Sequence, residues 1–303
     1  GTVSTMDEIL QYEADYSEDE YSSEVRTDII ETILYQRTLK NAQKAMEEGY
    51  PLSKSLLKTM HQQLLFFGRG ANKSPGQFKQ EQNYIADTLT RKILFVPISP
   101  EKLESGLDRL FEYINQNPDP VLLKTAITHL EFEALHPFQD GNGRIGRMLI
   151  TLMLWNTHTL SAPHFYISGY LEENKNRYID LMRNVSQTGN WNEWAIFFLN
   201  AIEYQSEKNL QIAENIRQLY EQMKKELSEI LSSKHSLAVL DFVFTYPVFR
   251  NSKLSEETGI STASANRFTK ALQNKGILTL TEEASGRKSA RYSFEHLMNL
   301  VRV

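Results

Sequence analysis

Apolar residues recur at three- and four-residue intervals along most of this chain, and that spacing predicts a mainly α-helical fold. Ile29, Ile30, Ile33, Leu34 and Leu39 mark a helix over 26–48 that stops at Gly49, with Pro51 just beyond. Ser53 reads as the N-cap of the next helix, which carries Leu56, Leu57, Met60 and Leu64. A stretch punctuated by Gly and Pro, 68–76, leads into 77–85, whose weak alternation predicts a short β-hairpin or flap. Further helices are predicted after Ser99-Pro100, from about 120 to 135, and from 142 to 156. Leu181, Val185, Trp191, Trp194, Ile196, Phe197 and Leu199 predict two more packed helices. Ile212, Ile216, Leu219, Met223, Leu227 and Ile230 then define a long amphipathic helix with a charged outer face.

From residue 236 the pattern changes. A helix over 237–244 is followed by a short helix, a turn at Gly259, and a helix over 263–276 that carries Arg267 and Lys270. Two strand-like runs, 277–281 and 290–294, flank a turn with Gly286, Arg287 and Lys288. That order of elements resembles a winged helix-turn-helix. The expected organisation is an N-terminal helical region over 1–50 packing on a core over 51–200, a connecting helix over 201–235, and a winged module over 236–303.

Composition narrows the function classes. The 303 residues are 41% hydrophobic and 23% charged, an ordinary globular balance. No apolar run nears the roughly 20 residues of a membrane helix, and no signal peptide is visible, so no membrane partner is expected. The absence of cysteine excludes disulfide and thiolate chemistry and fits a cytoplasmic setting. A net charge of −5 makes the whole molecule a poor polyanion binder, so any phosphate site is local. The acidic residues from Asp7 to Glu20 read as a solvated face or an arm.

The chemistry concentrates in His136-Pro137-Phe138-Gln139-Asp140-Gly141-Asn142-Gly143-Arg144-Ile145-Gly146-Arg147. Gly141, Asn142 and Gly143 open a helix, where glycine permits unusual backbone angles and consecutive N–H groups converge on an anion. Arg144 and Arg147 lie on the first turn and are suited to fork onto phosphate oxygens. Cations are disfavoured at a helix N-terminus, a penalty that a bound polyphosphate removes. Asp140 beside such a nest is a natural ligand for Mg²⁺, and a neutral His136 can accept a hydroxyl proton. Phe138 reads as the apolar anchor of the loop.

This segment is identified with the Fic-domain signature, His-Pro-Phe-x-Asp/Glu-Gly-Asn-Gly-Arg-x-x-Arg, at every specified position. The surroundings agree: Phe132-Glu133-Ala134-Leu135 leads into it, and Pro75-Gly76-Gln77-Phe78-Lys79 with Gln82-Asn83 is similar to the family's flap. Residues 174–178 and 188–194 resemble the stretch after the core, and the likeness covers about 1–200.

The resemblance implies a protein adenylyltransferase that moves AMP from ATP onto a Ser, Thr or Tyr hydroxyl of a protein, itself included, and releases pyrophosphate. On that basis His136 is the general base and Asp140 holds Mg²⁺. Gly141, Asn142, Gly143 and Arg144 bind phosphates, Arg147 takes the γ-phosphate, and Tyr178 lines the adenine end. The flap residues Gly76, Gln77, Phe78, Lys79 and Asn83 dock the target by adding a strand. Similar proteins carry an N-terminal inhibitory helix with Ser/Thr-x-x-x-Glu-Gly, whose Glu pairs with the second motif arginine. Placing Gly1 at the Gly of that motif puts the Glu just upstream of this chain. A competing placement at 22–26 puts Arg26 where Glu belongs.

Two other readings remain: a nucleotide-sensing, DNA-binding transcriptional regulator, and a hydrolase that removes AMP. Residues 236–303 hold nine basic and six acidic residues, a thin footprint for DNA. Arg267, Lys270, Arg287 and Lys288 are the candidate contacts to DNA or a protein partner, a second copy of the chain among them.

Overall fold

The structure, a computed structural model, describes residues 5–15, 27–68, 70–87, 90–286 and 288–302. It divides into two compact units, residues 30–207 and residues 1–29 with 208–303. This grouping differs from the expected division: α1 (Met6–Asp15) packs on the C-terminal segment, and the residues expected as a connecting helix are shared between the units.

The first unit is built on helices. α2 (Thr27–Glu47) and α3 (Lys54–Leu64) come first, with Ser53 capping α3 by accepting from the Leu56 N–H at 3.3 Å. Next are β1 (Ile85–Ala86) and β2 (Ile93–Phe95), then α4 (Pro100–Gln116), α5 (Val121–Leu135) and α6 (Asn142–Asn156). α7 (Ser168–Glu173), α8 (Lys175–Thr188) and the first part of α9 (Asn192–Leu231) complete it. α5 and α6 pack side by side as the centre, and their sequences are apolar nearly all round, as a doubly covered helix requires. One face of the pair meets Leu57, Met60, Leu64, Leu107 and Phe138. The other meets Leu181, Met182, Trp194 and Phe198, with the Trp194 indole N–H donating to the Ala126 carbonyl at 2.8 Å. Burying that N–H without an acceptor would be costly, so this bond also fixes where α9 begins.

Three expectations change. The two-stranded hairpin lies at 85–95, antiparallel, whereas 77–84 is irregular, because its side chains bond to the loop after α5 instead of to a strand partner. α7 has no counterpart in the sequence reading. The helices expected near 191–199 and over 201–235 are one helix of 40 residues. Its apolar residues fall into two patches separated by a polar stretch, the first in one core and Met223, Leu227 and Leu231 in another.

The second unit adds α10 (Ser236–Thr245), β3 (Val248–Arg250), α11 (Asn251–Thr258), α12 (Thr262–Asn274), β4 (Thr279–Glu282), β5 (Arg291–Ser293) and α13 (Glu295–Val301). The antiparallel sheet has the order β3-β5-β4, with Tyr292 opposite both Phe249 and Leu280. Gly259, at φ 67°, turns α11 into α12. This is a winged-helix arrangement with α1 laid on β3. The acidic N-terminal residues within α1 are not simply solvated. Asp15 sits between Arg250 (2.6 Å) and Arg291 (3.0 Å), and Asp7 meets Arg302 at 2.7 Å. Ile9 and Tyr12 are buried beside them.

Candidate active site

The end of α5 and the start of α6 face one short loop. His136 caps α5 in the left-handed region, φ 46°, its N–H still donating to the Phe132 carbonyl at 2.9 Å. Two residues on, Phe138 is fully buried. The Asn142 side chain closes the loop like a clasp: its Oδ1 accepts from the Phe138 N–H at 2.9 Å and its Nδ2 donates to the Phe138 carbonyl at 2.7 Å. The Asp140 carboxylate accepts from the Gly141 N–H at 2.6 Å, and Gly141 takes φ 79°. The first intrahelical bond of α6 runs from the Ile145 N–H to the Gly141 carbonyl at 3.0 Å. The N–H groups of Asn142, Gly143 and Arg144 therefore have no intrahelical acceptor and form the anion-seeking end of α6. The Gly141 N–H and the Asn142 side chain, both expected to meet phosphates, are hydrogen-bonded within the loop.

His61, on α3, is the organiser that the sequence did not reveal. It is fully buried and stacks on Phe138. Its Nδ1 accepts from the Gly76 N–H at 2.8 Å, which requires a lone pair there and a proton on Nε2. That Nε2–H donates to the Asp140 carbonyl at 3.0 Å. Burial lowers the pKa to about 4, so this tautomer persists at neutral pH.

The segment after Gly76 turns inward. The Lys79 N–H donates to the Pro137 carbonyl at 2.8 Å, and its buried amine donates to Asn83 Oδ1 (2.8 Å) and the Leu135 carbonyl (3.0 Å). Burial pulls that amine down to about 8. Asn83 Nδ2 donates to the carbonyls of His136 and Phe138, both at 2.9 Å. Phe78 packs on Phe138, Gly76 is covered by α3, and Gln77 is exposed. Lys79 and Asn83, expected at a target-docking flap, instead brace the loop. Outward-facing apolar surface lies around the hairpin, at Tyr84, Ile93 and Val96.

Behind the loop lies a cluster of buried polar groups. His136 is lowered to about 4 by burial, and its Nδ1 is buried without a well-aligned hydrogen bond. Glu133 Oε2 stands 3.7 Å from that nitrogen, and burial raises the Glu133 carboxyl to about 7 against the opposing pull of Arg147. Tyr178, expected at the adenine end, places its hydroxyl 3.2 Å from His129 Nε2 and its ring edge-on to Trp194. Burial, with Glu133 adding to it, raises the Tyr178 phenol well above its usual range.

The two motif arginines part company. Arg147 acts on the buried cluster, whereas Arg144 lies 3.6 Å from Glu31 and 3.7 Å from Asp140. Glu31 is 3% exposed, so a carboxylate from α2 is held inside the site. Glu31 offers a third placement for the glutamate of that motif, set against the first motif arginine rather than the second. Thr27-Asp28-Ile29-Ile30-Glu31 reads Ser/Thr-x-x-x-Glu, with Thr32 in place of Gly, and that spacing was the available signal. The rival segments, 1–4 and 22–26, lie outside the described residues.

The donor set fits Mg²⁺ that arrives with a nucleotide. No group of three His, Asp or Glu side chains is placed to hold a metal ion among the described residues, and Asp140 offers a single, partly exposed carboxylate. One carboxylate is the usual protein share when phosphates and waters complete the shell. In the second unit Arg267 lies over the Phe268 ring, and Lys288 is exposed. Lys270 lines a cavity of about 640 Å³ shared with Glu256 and Glu283, so that surface carries both signs. Arg287 lies outside the described residues. Among the described residues, no helix is long and apolar enough to cross a membrane.

Residues 51–154 match the sequence profile of the Fic/DOC family. The chain is 25% identical over 165 residues to a probable protein adenylyltransferase of Aquifex aeolicus, spanning 52% of this chain and 46% of the relative. It is 30% identical over 99 residues to a protein adenylyltransferase of Caenorhabditis elegans, spanning 31% and 18% respectively. The chain thus spans less than half the length of the curated relatives it matches. Among solved structures, a Fic family protein from Desulfovibrio desulfuricans aligns with a TM-score of 0.58 at 16% identity, over 97% of this chain and 82% of that one. A Fic domain-containing signaling protein from Bacteroides thetaiotaomicron aligns at 0.55 and 21%, over 70% and 80%. Both likenesses concern the fold.

Proposed function

We infer that this chain, a Fic/DOC domain protein, transfers AMP from ATP to a hydroxyl group of a protein. The observation that carries the reading is the pairing of a half-buried, neutral His136 with the open N-terminus of α6 across one loop. A phosphate at that helix end meets the N–H groups of Asn142, Gly143 and Arg144. Mg²⁺ travels with the substrate, and Asp140 is its protein ligand. Arg147 is the remaining cation for the polyphosphate tail.

In this geometry His136 takes the proton from the incoming hydroxyl at Nε2. The hydroxyl oxygen bonds to the α-phosphorus as the bond to the bridging oxygen of the β-phosphate breaks, and pyrophosphate leaves with that electron pair. The site supplies position and charge neutralisation rather than covalent chemistry. The hairpin with Tyr84, Ile93 and Val96 presents the target as an extended segment. Glu31 is the built-in competitor: while it holds Arg144, the site already contains an anion where the nucleotide's charge belongs.

Parallel incubations with α-labelled and γ-labelled ATP test the reading, with His136→Asn as control. Protein label from the α position alone, lost in the variant, is expected. Label from the γ position, or α label that survives the substitution, sinks it.

A further inference from the structure

We propose that Glu133 is a positioning residue for His136, accepting a hydrogen bond from its Nδ1–H and thereby presenting the Nε2 lone pair to the target hydroxyl. This rests on the reading of His136 as the proton acceptor.

An imidazole that accepts a proton at one nitrogen needs the other nitrogen protonated and held. His136 Nδ1 is buried and makes no well-aligned hydrogen bond; the Glu133 backbone carbonyl lies near enough to favour a proton there but does not complete the bond in this conformation. Glu133 Oε2, at 3.7 Å, is the only carboxylate oxygen recorded against it among the described residues. A small rotation of either group closes that gap, and such contacts commonly tighten once substrate is bound. Both groups sit on one rigid element: Glu133 is in the last turn of α5 and His136 is its cap, three residues on.

The carboxylate is itself held in place. Its Oε1 lies against α6 at Gly146, where an added Cβ would stand 2.5 Å away. Arg147 Nη1 and Glu133 Oε1 both come within about 4 Å of one point above Gly143 (3.1 and 4.0 Å). Glu133 therefore stands between the proton acceptor and the second motif arginine. The groups facing it are His136 from the end of α5, Arg147 from α6 and Tyr178 from α8, and His129, one turn back on α5, faces the same arginine. Tyr35, from α2, faces the same arginine.

When Nε2 takes the hydroxyl proton, the ring becomes a cation and Glu133 is its counter-charge, provided that the carboxyl is ionised. Desolvation raises that carboxyl to about 7, whereas His136 itself protonates near 4. The acid limb of the rate therefore belongs to Glu133: activity falls as pH drops through about 7, well above the titration of the imidazole.

The test compares wild type with Glu133→Gln, which keeps the shape and removes the charge. The expected result is a kcat about 10²-fold lower, an unchanged KM for ATP, and loss of the acid limb near 7. A second readout needs no AMP transfer: the ring ¹⁵N shifts of His136 followed against pH. Wild type should show a step near 7 that Glu133→Gln lacks. A step that persists in the variant, or an unchanged acid limb, overturns the proposal. If wild type transfers no AMP yet the step is present and lost in the variant, the positioning role stands and the functional reading fails.

Discussion

His61 lies flat on Phe138, with ring centroids 3.7 Å apart and planes 5° from parallel. The stack sets the imidazole so that its two nitrogens tie the Gly76 N–H to the Asp140 carbonyl. His61→Leu keeps much of the bulk but strands two buried backbone groups. We expect a loss of about 2–4 kcal/mol, read from the urea midpoint, together with slower nucleotide transfer as the Asp140 loop loosens. An unchanged midpoint would remove His61 from the scaffold of the site.

Buried imidazoles also set an acid sensitivity. His61, His129 and His136 are lowered by burial to about 4, 3 and 4, whereas unfolded histidine protonates near 6.5. Between those values the unfolded chain binds more protons, so stability falls as pH drops from about 6.5 toward 4. Glu133 works the other way. Its folded carboxyl takes a proton at about 7 and its unfolded one near 4.5, which favours the folded state as pH falls through that window. Three groups outweigh one. Denaturation midpoints should decline between pH 6.5 and 4, and more steeply in Glu133→Gln.

Gly146 and Gly169 make a matched pair. A methyl group at Gly146 meets Glu133 Oε1 at 2.5 Å, with Phe132 and His129 at 3.2 and 3.4 Å, whereas one at Gly169 meets nothing within 4 Å. Gly146→Ala should cost about 1–3 kcal/mol through overpacking. Gly169→Ala, in α7, should be neutral or stabilising by up to about 1 kcal/mol. Thermal melts of the two variants check the contrast.

Glu31 and Arg144 make the competition for the site measurable. Glu31→Gly frees the arginine, and ATP affinity by titration calorimetry should rise by about 5- to 150-fold, the range of a typical coupling free energy. Auto-modification with α-labelled ATP should rise with it. Affinity equal to wild type would leave Glu31 a structural ion pair only.

In the other unit, Asp15 joins Arg250 and Arg291, both largely buried. Asp15→Asn leaves Glu282 as the sole carboxylate paired with the two arginines among the described residues. α1 should then lose amide exchange protection relative to wild type, with a stability cost of about 1–3 kcal/mol.

How far the sequence could be read depended on how local each cause was. α6 begins and ends where the Gly-Asn-Gly turn and the following apolar run predict, because cap and core face lie within one segment. The hairpin was misplaced by several residues, since Lys79 and Asn83 answer to partners more than 50 positions away. His61 was invisible for the same reason: the carbonyl it serves is 79 residues distant. Glu31 was legible in its spacing, yet it sits in a helix whose apolar pattern already explained the segment. The 40-residue α9 was split because Gln205-Ser206-Glu207-Lys208-Asn209 interrupts its apolar spacing, which hides the continuity that its two ends supply.

The left-handed backbone of His136 gives that position two demands that can be pulled apart. A library of all substitutions at 136 would separate them by abundance and by turnover. Asn and Gly accept the conformation and should accumulate as folded, inert protein, whereas Val, Ile and Thr should fail already as soluble product. A substitution to Ala changes chain geometry and proton chemistry together, so a dead Ala variant says less about the base than a dead Asn variant.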